Sequence, residues 1–313
     1  MGTEAVRKEG EPAASRHPAL QELAFSLKRL FKNPLTIIGL VIILFFVFLA
    51  VFAEVLAPPP RPHDPYLMPH AGWSMTPSPP SEKNLLGTLP SQYDILYGVI
   101  WGTRHAFRIG VTVVAANLVV GLILGAIAGY FGGLVDEVIM RVTDIFYAIP
   151  SLVMAMALVV ALGRGWQSIV LVLIIVGWPT YTRMIRGDIL VIRNLDYIHA
   201  ARASGASHLR ILLHHILPNS VFSTIIVGSM SVGTTILFAA ALSFLGLGSE
   251  MGYADWGAMV ATCRNFITGV PGNKFAYWYL VFIPGFTIAL FVLGWNLLGD
   301  AVRDVFDPRM RRR

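Results

Sequence analysis

Six stretches of this chain carry no Asp, Glu, Lys or Arg and are long enough to cross a lipid bilayer. A helix needs about 20 apolar residues to traverse roughly 30 Å of hydrocarbon. The first stretch runs from Leu35 to Ala53 and the second from Ile109 to Tyr130. The third lies between Asp144 and Arg164 and the fourth between Arg164 and Arg183. The fifth begins after Pro218 and ends before Glu250, and the sixth lies between Lys274 and Asp300. These runs are continuous, not alternating. Inside lipid every backbone polar group must be satisfied within the protein, so they read as helices and not as barrel strands. Only 13% of residues are charged, against about 25% in soluble domains. This excludes a soluble enzyme, a disordered chain and a disulfide scaffold, the last also because Cys263 is the single cysteine. The expected fold is an all-α polytopic membrane protein with six transmembrane helices.

The first window follows a polar stretch and ends at Pro58-Pro59-Pro60 without a small-residue cleavage signal, so it reads as an uncleaved span. Basic residues set the orientation. With the N-terminus inside, Arg183, Arg186, Arg193, Arg202 and Arg210 fall on one inner loop, and Arg303, Arg309, Arg311, Arg312 and Arg313 on an inner tail. The positive-inside bias therefore places both termini in the cytoplasm. The division that follows is a tail and interfacial helix (1–34), a first span (35–57), and an external proline-rich loop with a lead-in helix (58–106). A five-span core (107–302) contains an inner loop at 188–219, and a basic tail (303–313) closes the chain. That tail reads as an orientation signal or lipid contact, with no nucleic acid as partner.

From Leu20, the residues Leu20, Leu23, Leu27, Leu30 and Phe31 share a helical face, which suits a helix lying on the inner leaflet or the first turns of span one. The external loop holds over half of the 19 prolines and cannot be regular helix or central strand. Trp256 and Trp278 fall near the membrane ends of the second external segment, where aromatics suit the headgroup belt. Gly121, Gly125 and Gly129 fall on one face of span two, for close helix approach or for lining a path. Asn117 is a polar residue within the same span, for interhelical bonding or for pore lining. Pro150, Pro179 and Pro284 are candidate kinks. Arg141 and Asp144 are spaced as a local pair. His199, His208, His214 and His215 crowd one loop without cysteine or an H-x-x-x-H pair, and no metal site is expected. No nucleophile sits with a base, and no paired carboxylates occur, so the chain is not expected to be an enzyme.

Residues 188–219 read DILVIRNLDYIHAARASGASHLRILLHHILPN. Asn194 is placed to cap a first helix that ends at Gly205, and Ser207 a second that ends before Pro218. Two short helices around a glycine elbow make a compact knob suited to docking against another protein.

This segment resembles the "EAA" loop of ABC-importer inner-membrane permeases. Ala200, Ala201, Gly205, Leu217 and Pro218 fall on the pattern EAA-x3-G-x9-I-x-L-P, while His199 replaces the acidic residue and His215 the isoleucine. "HHILPN" looks like the form found in the dipeptide/oligopeptide permeases. DEVIMRVTDIFYAIPSL (136–152), ALSFLGLG (241–248), DWGAMV (255–260) and NLLGDAVRDVFDPRMRRR (296–313) extend the resemblance over most of the chain. It implies a pore-forming subunit in the cell membrane that pairs with a second homologous permease. Two cytoplasmic ATPase subunits would drive it through His199, Ala200, Ala201, Gly205, His215, Leu217 and Pro218, and an extracytoplasmic solute-binding protein would feed it. The chain has no G-x-x-x-x-G-K-[ST], so it is expected to carry no cofactor, with ATP and Mg held by the partners. Di- and oligopeptides are the leading cargo, with oligosaccharides or nickel as alternatives. A secondary transporter or channel is the reading from another class, and the spans offer it few ionisable groups.

Overall fold

The computed structural model describes residues 33–70 and 72–306. The interfacial helix expected from Leu20 and the Arg-rich end of the basic tail lie outside the described residues.

Helix α1 (Pro34–Val51) starts where the Asn33 side chain accepts from the Leu35 N–H at 3.0 Å, with proline in the first turn. A short α2 (Ala53–Leu56) follows, and residues 57–94 form an irregular external segment pinned by isolated bridges. Helix α3 (Ile95–Phe131) is 37 residues long. The lead-in helix and span two are thus one rod, capped by Asp94 accepting from Tyr97 N–H at 2.8 Å. At 1.5 Å per residue it measures about 55 Å, so its first turns stand outside the hydrocarbon. There Ile95, Ile100 and Trp101 are buried under the external segments, which continues the apolar face beyond the membrane.

The third window is not one straight span. Helices α4 (Gly133–Ala148) and α5 (Ser151–Leu162) meet at 91° across Ile149 and Pro150. Proline has no N–H for the helix and forces the preceding residue out of helical geometry; Ile149 is extended at φ −103°, ψ 129°. Pro179 and Pro284 instead lie inside uninterrupted helices, α6 (Trp166–Ile192) and the last helix.

The inner loop folds as α7 (Asp196–Ala203) and α8 (His208–Ile211). Two local expectations are corrected here. Asn194 does not cap α7, because its side chain turns back to the Leu190 carbonyl. Nor does the second knob helix stop at Pro218. It runs through a π turn (Leu212–Ile216) directly into α9 (Leu217–Phe244), and the wider π turn ahead of Pro218 accommodates a residue that has no N–H to donate. Helix α10 (Trp256–Thr262) lies in the second external segment, and α11 (Trp278–Phe306) ends the described chain. Among the described residues, five helices are long and apolar enough to span, and the α4–α5 pair makes a bent sixth.

Helices α3 and α6 share the most extensive interface, and α11 bridges α9 and α1. Gly121, Gly125 and Gly129 form the α3 side of that interface. A Cβ at Gly125 would meet the Thr182 carbonyl at 2.7 Å and Ile185 Cβ at 2.9 Å. The glycines therefore set a close helix crossing and do not face a path. Trp256 is not in a headgroup belt. It is 3% exposed, packed tilted and edge-on among Phe46 and Phe291, with its indole N–H on the Val99 carbonyl. Trp278 is exposed. On the outer side the two external segments close over α3. Met68 N–H donates to Gly252, Ala254 N–H donates to Tyr66, and Trp101 and Tyr97 side chains bond the carbonyls of Ala57 and Pro65.

Candidate functional site

The knob is seated by isoleucines. Ile198 from α7, Ile211 from α8 and Ile216 from the π turn are all buried. They pack with Ala126 and Tyr130 of α3 and with Tyr181, Ile185 and Ile189 of α6. The elbow between its helices is a left-handed stop. Gly205 sits at φ 78°, Ala206 N–H donates to Ala201 and Gly205 N–H to Arg202, a Schellman closure that glycine adopts without strain. Ser207 caps α8 from Arg210 N–H.

Polar ties add direction to this apolar seat. Tyr130 Oη meets His208 Nδ1 at 2.8 Å, and Arg193 Nη1 donates to the Gly129 carbonyl at 2.7 Å, closing the end of α3. Asn219 Nδ2 reaches both Tyr197 Oη and the His215 carbonyl, joining α7 to the base of α9. Of the residues marked by sequence, His199, Ala200, Gly205 and Pro218 are exposed on the knob. Ala201 and Leu217 pack against its seat, and His215 is half-buried beneath it. Outward large apolar residues on the knob are Leu195, Tyr197, Leu209 and Leu213, beside exposed Arg202, His208, Arg210 and His214. The arrangement makes the knob, α3 and α6 one body.

A second feature lies where α3, α5, α6 and α9 converge. A chamber of about 290 Å³ is lined by Val113 and Asn117 of α3, Ser151 of α5, Gly177 and Thr180 of α6, and Thr234 of α9, among others. Asn117 is 3% exposed, and its Nδ2 donates to the Leu173 carbonyl at 3.3 Å. Thus it both bonds across helices and lines the chamber. Gly177 faces it, because a Cβ there would collide with the Asn117 amide.

Below the chamber the polar line continues. Tyr147 Oη donates to Thr180 Oγ1, and Arg183 pairs with Asp144 at 2.5 Å and covers the Tyr147 ring. Asp144 therefore pairs across helices with Arg183, and Arg141 pairs locally with Glu137. The Asp136 carboxylate accepts two bonds from Arg186, a fork–fork contact that ties α4 to α6. Ser151, Thr180, Thr234, Asp144 and Arg183 are all exposed, on spans whose other exposed residues are largely apolar. Charges and hydroxyls are costly against lipid, so this line marks the face turned toward water or another subunit. Sequence reasoning found Asn117 because it is an amide within an apolar run. It missed Thr180, Thr234 and the Asp136–Arg186 pair, since isolated hydroxyls inside spans commonly bond their own helix.

Bent and straight membrane-crossing helices, a polar face and a tightly seated knob place the chain among multi-pass membrane transport proteins. The chain belongs to the family described as the binding-protein-dependent transport system inner membrane component, whose model matches residues 121–312. Residues 25–80 match the N-terminal TM domain of oligopeptide transport permease C. The chain is similar to the dipeptide transport system permease protein DppC of Alkalihalophilus pseudofirmus, 37% identical over 96% of this chain and 94% of that one. It is 38% identical to the probable D,D-dipeptide permease protein DdpC of Escherichia coli K12, covering 88% of each. With the oligopeptide permease protein OppC of Bacillus subtilis the identity is 33%, over 96% and 97%. Its fold matches a chain of the inward-facing MetNI methionine ABC transporter at a TM-score of 0.53 and 18% identity, covering 68% of this chain and 98% of that one. The chain is a multi-pass protein of the cell membrane.

Proposed function

We infer that this chain is the permease subunit of an ATP-binding-cassette importer and forms half of a translocation path for di- or oligopeptides. The observation that carries the coupling role is the knob seated on α3 and α6 through Ile198, Ile211 and Ile216. A second homologous permease completes the path, two cytoplasmic ATPase subunits grip the knob, and a solute-binding protein delivers cargo at the outer side. ATP and Mg belong to the ATPase subunits, and this chain itself carries no cofactor and performs no hydrolysis. The names of the relatives support peptide cargo over oligosaccharides or nickel.

The mechanism is rigid-body rocking. The ATPase subunits move the exposed side of the knob, and its buried side has no slack, because packed cores switch between discrete arrangements and do not deform continuously. The α3–α6 pair therefore turns as one piece. The Asp136–Arg186 fork ties α4 to α6, and α5 packs on α6 through Ala155 and Val159, so both arms of the bend at Pro150 move with it.

The test is purification of tagged protein from gently solubilised native membranes, with the co-purifying chains identified by mass spectrometry. A second permease, P-loop ATPases and a binding protein are expected. That binding protein is then titrated with dipeptides, maltotriose and nickel. Recovery of this chain alone, under conditions that preserve a known importer, would refute the subunit role, and binding of sugar or nickel without peptide would refute the cargo.

A further inference from the structure

His105 is a buried titratable side chain with no part in the lever. It lies on the outer turns of α3, one turn beyond Trp101, where the external segments close over the helix. It is 2% exposed, and neither ring nitrogen has a hydrogen-bond partner among the described residues. Buried polar groups are normally bonded, so such a ring calls for an explanation. Aromatic rings wall it in from three elements. Tyr66 of the first external segment stands 5.7 Å away between centroids, Tyr253 of the second 5.2 Å, and Trp166 at the start of α6 6.0 Å, all edge-on. Tyr66 and Tyr253 stack on each other at 5.6 Å. The backbone bonds from Met68 to Gly252 and from Ala254 to Tyr66, each 2.8 Å, flank that pair. The imidazole is thus the floor of the clasp that joins the two external segments.

A neutral ring fits this place and a charged one does not. Taking an imidazolium out of water is costly unless a partner bonds it. The charges around it offer no such bond in the closed clasp. Asp255, on the second external segment, commits its carboxylate to Ser243 Oγ at 2.7 Å and to the Gly257 and Ala258 N–H groups. Arg108, three residues on along α3, holds its guanidinium 3.8 Å from the centre of the same Trp166 ring, so a second cation beside it is repelled. The first external segment adds Tyr66 and, two residues before it, Asp64, whose charge bears on Tyr253. Burial pushes the His105 imidazole below its ordinary value; the charge of Asp255 opposes this and that of Arg108 adds to it.

We propose that His105 is an acid-sensitive latch, in which a proton from the outer side charges the ring and opens the seam between the two external segments. The sign follows from linkage. Above about pH 6.5, the ordinary value of a histidine, the ring is neutral whether the clasp is closed or open, and closure carries no penalty. Below it, the open clasp lets water reach the ring, which then binds a proton that the closed clasp refuses. Closure weakens about tenfold by one unit below that value, and levels off once the closed ring is itself protonated. The clasp closes over α3, and Trp166 begins α6, so the latch touches both helices that seat the knob.

The test is hydrogen exchange of the complex purified from native membranes, read as protection factors so that the intrinsic pH dependence of exchange is removed. Between one unit above the histidine value and one unit below it, from about pH 7.5 to about pH 5.5, the Met68 and Ala254 amides should lose about tenfold in protection. Amides of α6 around Ile185 should hold theirs. His105→Phe keeps the ring packing and cannot take a proton, and its protection at Met68 and Ala254 should be the same at both pH values. His105→Gln, smaller and also uncharged, should be equally flat. Asp255→Asn keeps a capping oxygen and should retain the fall. A wild type without the fall, or an equal fall in His105→Phe or His105→Gln, overturns the proposal. A fall abolished by Asp255→Asn assigns the titration to that carboxylate and overturns it as well, and so does a loss shared by Ile185, which reports acid unfolding of the whole chain.

Discussion

Ile198→Ala tests whether the knob is a rigid lever. Ile198 is 0% exposed and is the buried apolar side chain that α7 contributes to the seat. Truncation removes three carbons from a packed site, and such isoleucine-to-alanine changes cost about 2–5 kcal/mol. Helix α7 has only 8 residues and is flanked by turns, so it has little stability of its own and the loss falls on its docking. Each 1.4 kcal/mol is a factor of ten, so even the low end raises the undocked population about thirtyfold. The assay has two parts. Hydrogen exchange of the amides of residues 196–206 in the assembled complex should lose protection by at least that factor. Cargo carried per ATP hydrolysed, in proteoliposomes, should fall while the complex remains assembled. Leu209→Ala is the contrast, since Leu209 is 65% exposed and its loss leaves the seat intact; exchange over α7 should not change there. Unaltered protection in Ile198→Ala, or lost protection with undiminished cargo per ATP, would refute the lever.

Gly205→Val is expected to leave membrane insertion intact and to uncouple hydrolysis from uptake, because a β-branched residue at φ 78° breaks the elbow; normal coupled uptake would sink the claim. Gly125→Leu should cost about 1–3 kcal/mol by forcing α3 from α6, seen as a lowered melting temperature of the detergent-solubilised complex, with Gly187→Leu, which faces open space, nearly neutral. Cys263 should resist maleimide at pH 7–8. Burial pushes its thiol up to about 12, so the reactive thiolate is scarce at any lower pH; rapid labelling of the folded protein would contradict its buried place.

The spans were legible because lipid leaves the backbone no other choice, so composition alone reports them. Local sequence was less informative about which partner each group chooses. Asp144 lies three residues from Arg141 yet pairs with Arg183 on α6. Trp256 follows an acidic residue near a membrane end, which suggests an interfacial ring, but the Asp255 cap turns its helix inward onto Phe46 and Phe291. Pro150, Pro179 and Pro284 are alike in sequence, and only the first breaks its helix. The elbow at Gly205 was readable, since one glycine supplies its left-handed turn. The isoleucine seat was not, because Ile198, Ile211 and Ile216 share no single periodicity and converge only when two helices fold back together. The same holds for the chamber, whose lining comes from four helices.

The external segments set an order of events during synthesis. Tyr66 and Met68 bond residues near Gly252 and Ala254, which leave the ribosome long after them. At about 5–20 residues per second the early segment waits roughly 10–40 s for its partner. An exposed stretch with free backbone donors would be prone to pair with other chains in that interval. Proline has no donor to offer, so the proline-rich composition of residues 58–90 keeps the waiting segment from wrong pairings until span five has crossed the membrane and the outer face can close.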